Sequence, residues 1–318
     1  MGRVLLVSCL ALVGVVGMGD VVAAGGVAVI MSADVDAYRE ALRGFKAVIQ
    51  QPVVAERDME GNIERGKSIL AEFQAQVKPD LILAMGVWAL QAVSPQVRET
   101  PVVYAMVLNP PNVVAPDAKN VTGASMNVPL DESIRLFRAV DPRIRRLGVV
   151  FNRAKTGYLV RPAEALAEKE GLRLVSREVG SPRDVVPALD ALRAAGMDAV
   201  WMLPDEVVLA QPVVQQMVLF SYREKVSLLG FHATQARAGA LLSLAMASNE
   251  DIGRQAGELA MRILQGKHPS ELPYTTARKL QLILNLKAAK RLDLSVSKKA
   301  LEAAGGSQGV TLDVTVIE

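Results

Sequence analysis

Cysteine and histidine are almost absent from the chain, which has one cysteine and two histidines among its 318 residues. The cysteine, Cys9, lies in the first 24 residues, which we expect to be removed. The remaining chain would then have no disulfide and no thiolate nucleophile. His268 precedes a proline and is expected on a loop surface, which leaves His232 alone as a candidate ligand. Because transition-metal sites need several such ligands, we predict neither a metal nor another cofactor.

Blocks of like charge and catalytic motifs are missing as well. The chain has 36 basic and 33 acidic residues, and its formal net charge is only +3. With no basic face evident, we predict no nucleic-acid partner. The motif H-E-x-x-H and the dinucleotide-binding glycine pattern do not occur. The sequence therefore favours a protein that is not an enzyme.

A long apolar run occurs at the N-terminus, where Arg3 is followed by uncharged residues from Val4 to Val16. Small residues follow and end at Ala24, which suits a signal peptidase. A membrane anchor is the alternative, but the run is shorter than the roughly 20 residues that cross a bilayer. We predict a signal peptide over residues 1–24, cleavage near Ala24 and a periplasmic or otherwise extracytoplasmic protein.

One short motif suggests nucleotide chemistry: GNIERGKS, from Gly61 to Ser68, matches the phosphate-binding pattern G-x-x-x-x-G-K-[ST]. In a phosphate loop, a strand runs almost directly into the first glycine and the backbone N–H groups stay exposed. Here the residues ERDME intervene, and Glu64 would occupy the phosphate space. We instead predict a helix capped by Asn62. Its apolar stripe would comprise Ile63, Ile69, Leu70, Phe73 and Val77.

Apolar, strand-like runs alternate with amphipathic segments through most of the chain. The first half contains GVAVIM, PVVAER, PDLILAMG and TPVVYAMVL, and the second contains RRLGVVFN, LRLVSREV, MDAVWMLP and VSLLGF. Such alternation implies parallel sheets that helices cover on both faces. We predict an α/β chain of two doubly wound parallel-sheet lobes. We also predict that the helix after MDAVWMLP is interrupted at Pro212. Ligands would bind at the carboxyl ends of the strands.

The run KNVTGASMNVPLDESIRLFRAVDPRIRRLGVVFN, followed by MDAVWMLPDEVV and GALLSLAMASNEDIGRQAGELAMRILQGKHPSELP, resembles a known family. The family is the periplasmic solute-binding proteins of ABC transporters, specifically the tryptophan/tyrosine type, and the resemblance extends from Val27 to Ser297. It implies the type I periplasmic binding fold, in which crossover strands join two lobes. Lobe I would comprise residues 25–124 and 246–273, and lobe II residues 125–245 and 274–297.

The last segment, residues 298–318, lies beyond this resemblance. It contains a glycine-rich break and then an alternating run, which indicates an added edge strand or a loose end. The resemblance also implies a hinge at the crossovers near Ala124, Ala245 and Tyr274.

Ligand contacts are implied for residues at the matching strand ends. The backbone N–H groups of Gly86 to Trp88 would bind an anion, and Trp88 would either stack on a flat ligand or belong to the core. Trp201 is expected in the core. Asp205 would hold a ligand amine, cap a helix, or do both. The full set of expected contacts is Ser32, Asp36, Tyr38, Gly86, Val87, Trp88, Leu108, Asn109, Ser125, Asn127, Asn152, Thr156, Tyr158, Asp205 and His232.

Two places depart from the family pattern. Relatives that bind amino acids often carry "SD" where this chain reads HAT, after Phe231, and an acidic-aromatic pair where it reads ASN. The resemblance implies capture of a small organic ligand, such as an aromatic amino acid or a related carboxylate, for an ABC permease. The alternative is a sensory module that signals to a membrane receptor or kinase. We expect a monomer in either case.

Overall fold

The computed structural model describes residues 25–296, 301–302, 306 and 309–318. The expected signal peptide and part of the C-terminal segment lie outside these residues. The strands are β1 (Val27–Met31), β2 (Val53–Asp58), β3 (Leu81–Met85), β4 (Val102–Val107), β5 (Val121–Ser125), β6 (Arg146–Phe151), β7 (Arg173–Glu178), β8 (Ala199–Met202), β9 (Ser227–Gly230), β10 (Leu242–Met246), β11 (Lys279–Asn285) and β12 (Thr311–Ile317). The α-helices are α1 (Asp36–Lys46), α2 (Ile63–Glu72), α3 (Val87–Val93), α4 (Leu130–Val140), α5 (Arg153–Lys169), α6 (Val185–Ala194), α7 (Gln211–Glu224), α8 (Ala233–Ala238), α9 (Asn249–Leu264) and α10 (Leu286–Arg291).

The strands form two sheets. The first has the order β2-β1-β3-β4-β5 and is parallel throughout. The second has the order β12-β11-β10-β9-β8-β6-β7, and among its described pairs β10–β11 is the antiparallel one. This arrangement confirms the predicted fold class, an α/β chain with two doubly wound, mainly parallel lobes.

Both faces of the first sheet are covered, which explains why its central strands are apolar without alternation. Every residue of β1, β3 and β4 is buried. In β1, Val27 and Val29 belong to one apolar cluster, and Ala28 and Ile30 belong to a second. Because successive strand residues point to opposite faces, each cluster lies on its own side of the sheet.

Over residues 25–296, the chain passes between the sheets three times, after β5, between β10 and α9, and between α9 and β11. Two of these segments are hydrogen bonded side by side. The Ser125 N–H donates to Thr275 O at 2.8 Å, and the Thr275 N–H donates to Gly123 O at 2.9 Å. The Ala277 N–H donates to Asn127 O at 2.9 Å. The backbone between the sheets is therefore a short paired ribbon.

Helix α9 returns to the first sheet and packs closely on α1. A Cβ added at Gly253 would lie 1.7 Å from Ala41 O, far inside any normal contact. Glycine at this position is what lets the two helix backbones approach each other.

The GNIERGKS motif forms the start of α2, as predicted. The Asn62 side chain accepts hydrogen bonds from the N–H groups of Glu64 and Arg65, at 2.9 and 3.2 Å. Gly66 is buried inside the helix, and Lys67 forms an exposed ion pair with Glu64 at 2.6 Å. The backbone N–H groups of the motif that follow the cap therefore belong to a helix and are not arranged to bind phosphate. The phosphate-loop interpretation is wrong.

The structure also decides the expectations for Pro212 and for the C-terminal segment. The helix expected to be interrupted at Pro212 instead begins at Gln211, and Pro212 lies in its first turn, where a missing N–H costs nothing. The C-terminal segment forms an edge strand, β12, rather than a loose end. Among the residues that the structure describes, no helix combines the length and hydropathy that a bilayer crossing requires.

Candidate functional site

The carboxyl ends of the two sheets meet at a cleft. Asn109 follows β4 of the first sheet, and its Nδ2 donates to Pro204 O, which follows β8 of the second sheet, at 2.8 Å. The Tyr158 hydroxyl, on α5, donates to Asn109 Oδ1 at 2.8 Å. Residues that follow strands of both sheets therefore lie in contact, and the ends of strands are where open α/β folds place ligands.

On the lobe I side, a serine and a glycine shape the turn between β3 and α3. The buried Ser32 hydroxyl donates to Met85 O at 3.0 Å and accepts from the Ala89 N–H at 2.9 Å. Gly86 has φ 87° and ψ 168°, a conformation that side chains other than hydrogen rarely adopt. A Cβ there would also lie 2.3 Å from the Tyr38 hydroxyl oxygen. The turn therefore requires glycine.

This turn leaves backbone donors at the cleft surface. Among the described residues, the N–H groups of Val87 and Trp88 have no acceptor, since Ser32 takes only the third N–H of the helix. The Trp88 side chain is 47% exposed, so it lies at the surface and not in the core. Burial raises the pKa of Tyr38, although its hydrogen bond with Ser32 lowers it in part. A cavity of about 180 Å³ is lined here by Ser32, Ala33, Val35, Tyr38, Val87 and Trp88.

Asp36 lies at the start of α1 and faces solvent. Its side chain is 90% exposed and pairs with Arg39 at 2.6 Å. It does not line the cavity beside Trp88.

On the lobe II side, the polar residues bind one another. Asp205 is fully buried, and its carboxylate accepts from the Asn152 N–H at 2.7 Å, the Thr156 hydroxyl at 2.5 Å and the Val207 N–H at 2.9 Å. Asn152 in turn caps α5 through Ala154 N, at 3.0 Å. In this conformation Asp205 presents no exposed oxygen to a ligand amine, and its visible role is to join α5 to the loop after β8.

Near the crossovers, two asparagines link the lobes. Asn109 has φ 52° and ψ 53°, and its N–H donates to Asn127 Oδ1 at 2.9 Å. The Asn127 N–H contacts the buried Ser125 hydroxyl at 3.3 Å. Burial raises the pKa of Tyr158, and a weak 3.5 Å hydrogen bond from Asn127 lowers it in part. These four predicted residues are therefore brought together.

Beside this cluster lies an apolar cavity of about 170 Å³. Its wall includes Trp201, which is 4% exposed and makes an edge-to-face contact with Phe137 at a centroid distance of 5.4 Å. Trp201 is thus a core residue, as predicted, that also borders the cavity. The lining residues, none of them charged, are Leu108, Asn127, Val128, Leu130, Ser133, Leu159, Trp201, Leu203, Pro204, Phe231, Tyr274 and Thr276.

His232 does not line this cavity. Its Nδ1 accepts from the Thr234 N–H at 3.3 Å and so caps α8. It lines a separate cavity of about 450 Å³ between α7 and α8. Among the described residues, no group of three or more histidine, cysteine, aspartate or glutamate side chains could hold a metal ion.

Sequence reasoning missed several cavity residues, notably Leu159, Leu203 and Tyr274. Leu203 directly follows β8, so the rule that ligands bind at strand ends could have identified it. Tyr274 belongs to a crossover, and its half-exposed ring beside a hinge had no local signal in the sequence.

Comparison with known proteins identifies the class of protein. The family model for ABC transporter substrate-binding proteins matches residues 26–307, and the chain belongs to that family. A tyrosine-binding protein of Clostridioides difficile (strain R20291) is 23% identical over 236 residues, covering 72% of this chain and 67% of the relative.

Solved structures show the same fold. An open, ligand-free substrate-binding protein with adhesive properties from Clostridium difficile has a TM-score of 0.65 and 19% identity, covering 92% of this chain and 99% of that one. An ABC domain from Streptococcus pneumonia in complex with L-Trp has a TM-score of 0.58 and 20% identity, with the same coverage. The fold is thus the type I periplasmic binding fold that the sequence predicted.

Proposed function

We propose that this protein is exported, captures a small organic ligand between its lobes and delivers it to an ABC permease. The observation that carries the proposal is the uncharged, apolar cavity where the lobes meet, with Asn127 and Thr276 as its polar border. Such a cavity suits the flat or apolar body of a small molecule, and the few polar groups orient it.

The ligand class follows from both sides of the cleft. Lobe II supplies apolar walls, while lobe I supplies the N–H groups of Val87 and Trp88 and the exposed indole of Trp88. This set suits an aromatic body with a carboxylate or carbonyl end. The names of the tyrosine-binding relative and of the L-Trp complex support an aromatic ligand.

We further propose that the remaining predicted contacts divide by role. Ser32, Gly86 and Asp205 position the cleft-lining turns, and Tyr38, Leu108, Asn109 and Tyr158 contact the ligand when the lobes close. The moving units are residues 25–124 with 246–273 and residues 125–245 with 274–297. The paired ribbon containing Ser125 and Thr275 serves as the hinge, because its backbone passes between the two sheets.

Calorimetry on the purified protein tests the binding proposal. L-Tyrosine and L-tryptophan should be titrated beside 3-(4-hydroxyphenyl)propionate and 3-(indol-3-yl)propionate, which lack the amine. Trp88→Ala and Tyr274→Ala each remove an aromatic surface of the cleft and should weaken the best ligand about tenfold or more. Leu219→Ala is the matched control, because Leu219 is 68% exposed on α7 and lines neither cavity of the cleft. If no aromatic compound binds, or if all three variants bind alike, the proposed site is wrong.

Export and import need separate measurements. Protein recovered from outside the cytoplasm should begin at Gly25 on N-terminal sequencing. Deletion of the gene should abolish uptake of the identified ligand, and the intact gene should restore it. Normal uptake in the deletion strain, together with a lost transcriptional response to the ligand, would instead support the sensory alternative.

A further inference from the structure

The C-terminal strand β12 lies at the edge of the second sheet and follows the family match, which ends at residue 307. It runs parallel to β11 over seven residues, from Lys279↔Thr311 to Asn285↔Ile317. Among the described strands, none pairs with its other side. Its outer edge is therefore a row of backbone donors and acceptors.

The register decides which groups face outward. The Thr311 N–H donates to Arg278 O on the β11 side at 2.8 Å. Because successive residues of a strand turn their backbone groups to opposite sides, the odd-numbered residues bond β11. The N–H and C=O groups of Leu312, Val314 and Val316 therefore point away from the sheet.

Two of the other edge strands, β2 and β7, carry several charges, which discourage pairing, whereas β12 carries one. The remaining edge strand, β5, is uncharged, but the crossover at Thr275 lies beside it. Edge strand β2 ends in Glu56, Arg57 and Asp58, and edge strand β7 contains Arg173, Arg177 and Glu178. The sequence of β12 is TLDVTVI, whose single charge is Asp313. Lysines, prolines and charges normally protect edges, and a β-prone strand without them is a template for another strand.

We propose that this edge pairs with the same edge of a second copy, antiparallel, around a two-fold axis at Val314. In this register Val314 faces Val314, and Leu312 faces Val316 of the other copy. All outward backbone groups then meet partners, and the overlap covers the whole strand. A two-fold contact is also closed, so the exposed edge is satisfied without growth into a fibre.

The position of Asp313 favours this pairing over pairings of other direction or register. Asp313 lies opposite Thr315 of the second copy, and both are polar. A parallel pairing, or an antiparallel one centred on residue 313, would place Asp313 directly opposite its own copy. Like charges in directly opposed positions destabilise a strand pair. The inference departs from the monomer expected from the sequence, and it does not depend on the proposed ligand.

Sedimentation equilibrium of the full protein tests the inference directly. The expected result is a concentration-dependent mass that approaches twice that of one chain. Thr315→Asp would place a second carboxylate opposite Asp313 at two positions, and should raise the dimer dissociation constant about tenfold in low salt, less so in high salt. Thr315→Asn is the matched control and should dimerise like the wild type. Both replacements keep an acceptor for Gln281 Nε2, which lies 3.1 Å from the threonine hydroxyl, so the fold is preserved.

A second variant blocks the edge without adding charge. Val316→Pro removes an N–H that the register directs outward, so it should abolish the dimer while the thermal midpoint of the monomer stays nearly unchanged. Val316→Thr, which keeps that N–H and a β-branched side chain, is the matched control and should dimerise like the wild type. A wild-type protein that stays monomeric to the highest soluble concentration overturns the proposal. A dimer that survives both Thr315→Asp and Val316→Pro also overturns it, because the contact would then lie elsewhere.

Discussion

The two sides of the cleft use their polar residues in opposite ways. On the lobe I side, Ser32 engages the third N–H of α3, and the N–H groups of Val87 and Trp88 remain without acceptors among the described residues. On the lobe II side, Asp205 and Thr156 are fully buried and bonded to each other. What lobe II presents to the cleft is mainly apolar surface, bordered by Asn127 and Thr276.

The difference shows that a polar residue at a strand end is not by itself a ligand group. What matters is whether its donors and acceptors already have hydrogen-bond partners within the protein. Asp205 accepts three hydrogen bonds from its own lobe, whereas the backbone N–H groups of Val87 and Trp88 donate to no described residue. Orientation of the polar end of a ligand would then fall to lobe I, and burial of its body to lobe II.

The largest effect is expected from removing the carboxylate on which the lobe II hydrogen bonds converge. Asp205→Ala leaves the Asn152 and Val207 N–H groups and the Thr156 hydroxyl without their acceptor. Because unpaired buried polar groups are costly, we expect the free energy of unfolding to fall by about 3 kcal/mol, measured by urea denaturation. A stable variant that has lost only ligand affinity would show that Asp205 is a ligand contact instead.

The neighbouring carboxylate provides the control. Glu206 is 80% exposed and pairs with Lys155 at 2.7 Å. Glu206→Ala should change the free energy of unfolding by less than about 1 kcal/mol, since exposed ion pairs contribute little.

Lobe I should instead be sensitive to its backbone turn. Gly86→Ala forces a Cβ into a positive-φ conformation and against Tyr38, so we expect a loss of about 2 kcal/mol in the free energy of unfolding. The same replacement at Gly157, inside α5 on the lobe II side, meets nothing closer than 3.5 Å and should stabilise by about 0.5–1 kcal/mol. Equal effects of the two replacements, in thermal or urea unfolding, would contradict the assigned turn.

A second buried carboxylate of lobe II, Asp141, allows a test by pH. Burial pushes its pKa up, but the hydrogen bonds from Arg143 and Ser227 outweigh burial and leave the pKa lowered. A lowered folded-state pKa stabilises the protein above the unfolded value, near 3.8, and this stabilisation is lost as the pH falls through the folded value. Asp141→Asn should therefore cost about 1 kcal/mol near pH 7, and the difference from wild type should shrink below about pH 4. A difference that does not vary with pH would mean that the carboxylate charge is irrelevant.

Local features of this protein were readable from the sequence, and distant pairings were not. The Asn62 cap and the strand-turn-helix at Gly86 depend on residues within one turn, so their chemistry is visible in a short stretch. Two of the three partners of Asp205 lie 49 and 53 positions away, at another strand end and on a helix. Whether Asp205 faced a ligand or its own lobe depended on the way those segments pack.

The same limit applies to the cavity and to the second sheet. Leu159 and Tyr274 line one cavity although more than a hundred residues separate them. The antiparallel β10–β11 pair arises because the chain leaves for α9 and then returns, a path that apolar runs do not specify. Periodicity predicted the two lobes, and the family resemblance predicted the crossovers that join them.

The smallest expected effect belongs to the motif that first suggested a nucleotide. Lys67 lies on α2 and pairs with Glu64 on the same exposed face. Lys67→Ala should change the free energy of unfolding by no more than about 0.5 kcal/mol and leave ligand affinity unaltered, because an exposed helix pair contributes little. Asn62→Ala is the informative counterpart, since it removes the acceptor for two N–H groups and should cost about 1 kcal/mol. If calorimetry detected ATP binding and Lys67→Ala abolished it, the phosphate-loop interpretation would be restored. Lobe I would then have a functional site outside the cleft.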